Sequence, residues 1–268
     1  MSYAIRPLGF GEILNQGINV FREHFVLIAG SFAAVYLPVQ LAFQIIMYFL
    51  VTSRIPDDGA NMTPEQLMAA TSSVAVAAAI AGIVGGIVSF IAYTVAEGAL
   101  IHSAAKSYLG EQETVGTSVS FGLSRFVPLL LTGLLKGVII VIGLILFIVP
   151  GVYFLFRYAL TSSVVVIEGR SGMAALGRSK ELMSYSGHIY QLIGLGLICA
   201  LIGFAIGMPV GLLGDGIIAA IVTSVLQTLV SAFTATVFVV FYFSARCRID
   251  GFDLDRLAES LAAQNATN

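Results

Sequence analysis

From Gln66 to Ala96 the chain runs 31 residues without an Asp, Glu, Lys or Arg, and His24 to Ser53 is equally free of those four types. Each run exceeds the roughly 20 residues that an α-helix needs to cross a bilayer core. The apolar runs predict six crossings: about Phe25–Val51, Ser72–Ala96 with helix continuing toward Tyr108, Phe126–Val149, Val152–Ile167, Ile189–Leu213 and Ile217–Ala245. Pro150-Gly151 predicts a tight turn after the third span, because Pro lacks an N–H and Gly tolerates positive φ. Gly214-Asp215-Gly216 predicts another after the fifth. The expected fold is an all-α polytopic membrane protein, with lipid as its main solvent. A re-entrant fourth segment, interrupted by Arg157, is the alternative.

Between the apolar runs lie amphipathic stretches. In the first, Phe10, Ile13, Leu14, Gly17, Ile18 and Phe21 share one helical face, opposite Glu12, Asn15, Gln16, Asn19, Arg22 and Glu23. In the second, Val115, Val119, Leu123 and Phe126 alternate with Ser118, Ser120, Ser124 and Arg125. The third, Ser171 to Tyr185, sets Met173, Leu176 and Met183 against Arg178, Glu181 and Ser184. Helix periodicity of this kind suits segments lying in the headgroup plane. Each stretch precedes a hydrophobic hairpin, which suggests one membrane domain over residues 1–262 built on a threefold repeat starting near 8, 113 and 171. Chance similarity of interfacial elbows is the competing explanation. A last amphipathic segment starts at Asp253, and residues 263–268 are expected to be a disordered tail.

Charge changes the picture through its placement. The net charge is only −2 and charged residues are 10% of the chain, against about 25% in soluble domains. Mean hydropathy is +0.96. No nucleic-acid partner is expected from such a balance. Arg6, Arg22, Lys106, Arg125, Arg170, Arg178, Lys180, Arg246, Arg248 and Arg256 fall on one side of the span map; Arg54 falls on the other. The positive-inside rule assigns that basic side, and both termini, to the cytoplasm. Residues 1–19 lack the apolar core and small-residue site of a cleavable signal peptide. Cys199 and Cys247 do not make a disulfide framework, and the separated His24, His102 and His188 read as interfacial rather than as metal ligands. No cofactor and no metal is expected.

Small residues recur at four-residue spacing: Ala78, Gly82 and Gly86; Gly133 and Gly137; Gly203, Gly207 and Gly211. Such rows predict close helix packing where lipid supplies no hydrophobic drive. Pro209 is expected to bend or end the fifth span. With no Trp, tyrosines are expected to form the interfacial belt: Tyr36, Tyr48, Tyr93, Tyr108, Tyr153, Tyr158, Tyr190 and Tyr242.

Three charges interrupt the apolar runs: Glu97, Lys136 and Arg157. A charge at mid-bilayer costs about 2.5–3.5 kcal/mol even on lenient scales, so these side chains should face protein, water, a lipid phosphate or one another. The candidate site is therefore a polar or lipid-headgroup site of Glu97 with Lys136 or Arg157, and Glu168 and His102 nearby. Snorkelling with a structural ion pair is the plainer reading. The basic face of Arg170, Arg178, Lys180, Arg246 and Arg248 is suited to anionic headgroups. There is no HExxH, GxSxG or Walker lysine motif.

Gly11-Glu12-Ile13-Leu14-Asn15, Pro150-Gly151-Val152-Tyr153 with Arg157-Tyr158, and Glu168-Gly169-Arg170-Ser171-Gly172 running into Ala175-Leu176 and Arg178-Ser179 form an ordered series. With Arg246-Cys247-Arg248 leading to Gly251-Phe252-Asp253-Leu254, the series resembles the bacterial family labelled "glycerophosphoryl diester phosphodiesterase membrane domain". The resemblance covers nearly the whole chain and implies membrane architecture in a bacterial envelope. It does not imply phosphodiesterase activity, since no histidine here is followed by Arg as in that catalytic domain.

The expected role is a non-enzymatic, multi-pass protein of the bacterial inner membrane that organises or binds lipids or envelope partners. Its expected partners are membrane lipids, other membrane proteins or further copies of itself. A transporter or lipid-translocating channel is the first alternative. An intramembrane enzyme acting on a lipid headgroup, with Glu97 as base, is the second.

Overall fold

The computed structural model describes residues 6–52, 63–211 and 216–251. Among these the chain is all-α, with no strand, and six helical segments are long and apolar enough to cross a membrane. It is an all-α polytopic membrane protein. A short helix, α1 (Phe10–Glu23), leads into a hairpin of α2 (Phe25–Thr52) and α3 (Pro64–Tyr108). A second short helix, α4 (Val115–Ser124), leads into α5 (Phe126–Leu146) and a broken fourth segment. That segment is α6 (Ile148–Arg157), then α7 (Thr161–Ser163) running into one π-helical turn, Val164–Glu168. A third short helix, α8 (Gly172–Leu182), leads into α9 (Ser186–Gly211) and α10 (Ile217–Asp250). The order of one short helix and two long segments thus recurs three times. The segments expected from Asp253 onward, and the turn at Gly214-Asp215, lie outside the described residues.

The core lies at the end that carries the three short helices. Leu8, Ile13, Val20, Phe32, Leu100, Val164, Leu182, Val240 and Phe241 are all buried there in one cluster. Toward the other end of α3, Val76, Ile80, Ile83, Ile87 and Val88 are exposed, as lipid-facing residues must be. Residue types change accordingly along α3: from Ala92 to Tyr108 the small residues Ala96, Ala99, Ser103 and Ala104 are buried against neighbours. α10 is the central strut, packed on α1, α2, α3 and α9. Hydroxyls within the spans return to carbonyls one turn back, as in Ser31 to Leu27, Thr228 to Ser224 and Thr236 to Ala232. This satisfies them without water.

The chain's first described residues are tied into this end. The Leu8 amide donates to Ser244 Oγ at 2.9 Å, and Gln191 donates to the Leu8 carbonyl at 3.3 Å. Glu12 caps α1 by accepting from the Gly9 amide and from Arg6, and these two partners hold its carboxyl below the usual range. Thr114 caps α4 by accepting from the Thr117 amide.

Several expectations are corrected. The bend after α5 falls at Phe147, in extended backbone, and not at Pro150-Gly151. Pro150 sits in the first turn of α6, where a missing N–H costs nothing. Gly151 instead allows α6 to touch α5: a methyl there would stand 2.7 Å from the Leu144 nitrogen. Pro209 lies inside α9, which runs on to Gly211.

The glycine rows do not carry the packing. At Gly82, Gly86, Gly133, Gly137 and Gly207 an added methyl would meet nothing within 4 Å. The α2–α3 contact passes through Gly85 and Phe43, one residue round the helix from the predicted row. Only Gly203 packs, against Val230; the surroundings of Gly211 lie outside the described residues.

The buried faces of α4 and α8 also differ from those expected. α4 buries Ser118 and Gly122 and leaves Leu123 exposed. α8 buries Ala175, Leu176, Arg178, Ser179 and Leu182 and leaves Met173 exposed. In α1 the buried line is Ile13, Gly17 and Val20, while Phe10 is partly exposed. Tyr108 and Tyr242 are core residues rather than belt residues; their hydroxyls donate to Gln16 and Glu168.

Candidate intramembrane binding site

The second long segment of each hairpin turns one face toward a shared cleft of about 760 Å³. α3 supplies Tyr93 and Glu97, the fourth segment supplies Phe156, Ser162 and Ser163, and α10 supplies Ser231, Thr234 and Phe238. α9 closes another wall with Leu192 to Ala200. The volume falls within the roughly 300–1,000 Å³ of small-molecule sites. Among the described residues, Glu97 is the single charged one on the lining. The Ser162 side chain shares the lining with its carboxylate, and Lys136 on α5 acts on it electrostatically. No ion pair within 4.0 Å joins Glu97 and Lys136. Leu155, Ile193 and Leu197 line the cleft and are also exposed on the outer surface, so its mouth is apolar.

Sequence position suggests why Glu97 lands here. It follows directly on the 31-residue uncharged run, where α3 passes from lipid-facing to core. The break at Tyr158 and the π-turn at Val164–Glu168 shift the fourth segment so that Ser162 faces α3. π-turns often mark functional positions in this way.

Of the predicted polar cluster, then, only Glu97 lies on the described lining of the cleft. Arg157 belongs to α8. Its guanidinium donates to the carbonyls of Met183 at 2.8 Å and Lys180 at 3.3 Å, the orphan acceptors at that helix's end. Its Nε donates to the Tyr153 hydroxyl, and Ser179 donates to the Arg157 carbonyl. A cation on the fourth span thereby fastens the third short helix. The expectation of a Glu97–Arg157 pair is corrected: the carbonyls at the end of α8 claim the guanidinium.

Glu168 sits in a separate ion network. It accepts from Arg178 Nε at 3.0 Å, from the Tyr242 hydroxyl at 2.8 Å, and pairs with Arg170 at 3.2 Å. Arg178 also donates to Glu181 at 2.8 Å and to Asp250. Arg246 pairs with Asp250 at 3.5 Å. Burial alone would lower the Arg178 pKa, but its three carboxylate partners hold it above the usual arginine value. Three arginines and three carboxylates balance here. Arg178 and Arg246 are therefore internal ties rather than a face for anionic lipid. Arg170, Lys180 and Arg248 remain exposed, with Arg248 lying 4.8 Å from the Tyr185 ring.

His102 occupies a third place. Its ring stacks on Phe121 at 3.9 Å, and Nε2 lies 3.4 Å from Glu113. The Thr117 hydroxyl, the Thr114 amide and His102 hold Glu113 below the usual carboxylate range. His188 is buried and its Nδ1 donates to the Leu182 carbonyl. Both cysteines are buried. No group of three or more His, Cys, Asp or Glu that could hold a metal occurs among the described residues.

Sequence reasoning missed Tyr242 and Asp250. With Arg246 they are spaced four residues apart on α10, a one-faced polar stripe that could have been read. It also missed Ser162 and Thr234. No sequence signal separates those hydroxyls from the many that bond their own helix.

The fold and this cleft define the class: a six-span helical membrane protein with one acidic group in an apolar intramembrane cleft. Comparison with protein-family models, curated proteins and solved structures gives no match.

Proposed function

We propose that the chain is a non-enzymatic membrane protein that holds a bilayer amphiphile in the cleft at Glu97. The observation that carries this reading is an apolar, laterally exposed cleft of about 760 Å³ with a single charged residue on its lining. Apolar walls with a few polar groups fit a molecule that is itself mostly hydrocarbon. The described lining has a carboxylate and hydroxyls but no imidazole and no second carboxylate, which favours binding over headgroup chemistry. The basic residues at the short-helix end support placing that end in the cytoplasm of a bacterial inner membrane. The ordered motifs around Pro150-Gly151 and Glu168-Gly169 support membership in the phosphodiesterase membrane-domain family. Translocation of the bound amphiphile is the second reading. It is favoured by the presence of a cleft at Glu97, where a dry ion pair would have favoured a scaffold.

Native mass spectrometry of the purified protein tests the reading. Wild type is expected to retain one amphiphile per chain. Ala200→Phe, which fills the cleft from α9, is expected to lose it while keeping its thermal stability. Equal retention by both would remove the cleft as the binding site.

A further inference from the structure

The chemistry of the cleft selects a headgroup, an inference that rests on the binding role proposed above. Glu97 is the one formal charge on the lining, and it is negative. It forms no ion pair within 4.0 Å among the described residues, so the carboxylate has no direct partner of opposite sign. At membrane depth a lone charge is costly, and a ligand cation that pairs with it gains what the protein forgoes. The aromatic rings of Tyr93, Phe156 and Phe238 stand on the same lining as Glu97. Aromatic faces beside a carboxylate are the setting in which ammonium groups bind. An anionic headgroup would bring a phosphate toward Glu97 with no ammonium to offset it.

We propose that the cleft binds a bilayer phospholipid whose headgroup carries a primary ammonium, with the ammonium at Glu97. Its chain lies along the apolar wall of α9, entering past Leu155 and Leu197, which are both exposed at the mouth. That mouth opens on the lipid-facing surface, where bilayer phospholipid is the amphiphile at hand, which is why a lipid is favoured as occupant.

The test uses two photoactivatable lipids with the same diazirine-bearing chain, phosphatidylethanolamine and phosphatidylglycerol, in nanodiscs holding the full chain. Crosslinks are mapped to residues 192–200 and 230–238. Wild type is expected to crosslink the ethanolamine lipid about tenfold more than the glycerol lipid, the factor one charge-assisted hydrogen bond supplies. In Glu97→Gln the preference is expected to vanish. A diazirine-bearing long-chain alcohol reports whether the cleft itself is intact in each variant. If Glu97→Gln loses alcohol labelling as well, Glu97→Asp, which keeps the charge, decides: equal labelling by the two lipids there overturns the headgroup assignment.

The outcomes separate the two readings. Equal labelling by both lipids in wild type overturns the ammonium proposal and leaves amphiphile binding standing. No labelling of the cleft by either lipid or by the alcohol sinks both. Labelling by a diazirine-bearing long-chain amine without labelling by the ethanolamine lipid overturns the lipid as occupant.

Discussion

Arg178→Met is expected to destabilise the protein by about 3–5 kcal/mol, the range found when one partner of a buried ion pair is removed. Arg178 is 7% exposed and Glu168, the most deeply buried of its three carboxylate partners, is 8% exposed at the side chain. Methionine fills much of the same space and supplies no charge. Glu168 would keep the Tyr242 hydroxyl and Arg170, but Arg170 is half exposed and screened. Asp250 and Glu181 would also lose their shared partner, which loosens the end of α10 from α8. The double variant Arg178→Met/Glu168→Gln is expected to recover a clear part of the loss, because the stranded charge is then gone. Thermal unfolding in detergent, followed by helical circular dichroism, measures both. Wild-type stability in Arg178→Met would show that the network carries no structural weight.

Gly122→Ala is expected to cost about 1–3 kcal/mol, as overpacking does in a tight core, despite alanine's better helix propensity. The added methyl would stand 2.5 Å from the Val95 carbonyl oxygen and 2.8 Å from the Ala99 amide nitrogen. Both are backbone atoms of α3 and cannot rotate aside. Gly98 on α3 meets Gly122 in the same crossing. The two helices must therefore separate, and α3 carries Glu97 between the Val95 and Ala99 that make that contact. Gly116→Ala, on the same helix, meets nothing within 4 Å and is the matched control. It is expected to be neutral or to stabilise by up to about 1 kcal/mol. The same unfolding assay compares the pair, and equal behaviour of the two variants would contradict the α3–α4 contact.

The spans were legible because their signal is collective. A 31-residue uncharged run needs no tertiary context to be read. The short helices were legible from periodicity, but their buried faces were not. On α4 the line that touches α3 is Ser118 and Gly122, chosen for small size rather than hydrophobicity. Periodicity weighs hydrophobicity alone, so it placed Leu123 inward, and lipid accepts that side chain outside. Arg178 shows the same limit from the other direction. Its charge marked it as exposed, yet three carboxylates from three separate segments enclose it.

For the site, Glu97 and Lys136 stood out as charges within apolar runs, and the structure places Glu97 on the lining of the cleft and Lys136 on α5, off that lining. Arg157 stood out equally and went elsewhere, because the carbonyls at the end of α8 need donors that lipid cannot supply. The depth of a charge along a span is readable from sequence. The neighbour it meets depends on how helices far apart in the chain pack, and that is not.

The most direct test of an occupied cleft is a high-resolution cryo-electron microscopy map of the protein in lipid nanodiscs. The account predicts a continuous, elongated density along α9, with its polar end beside the Glu97 carboxylate. A well-resolved cleft that is empty, or closed by its own side chains with Glu97 paired directly to Lys136, would contradict it.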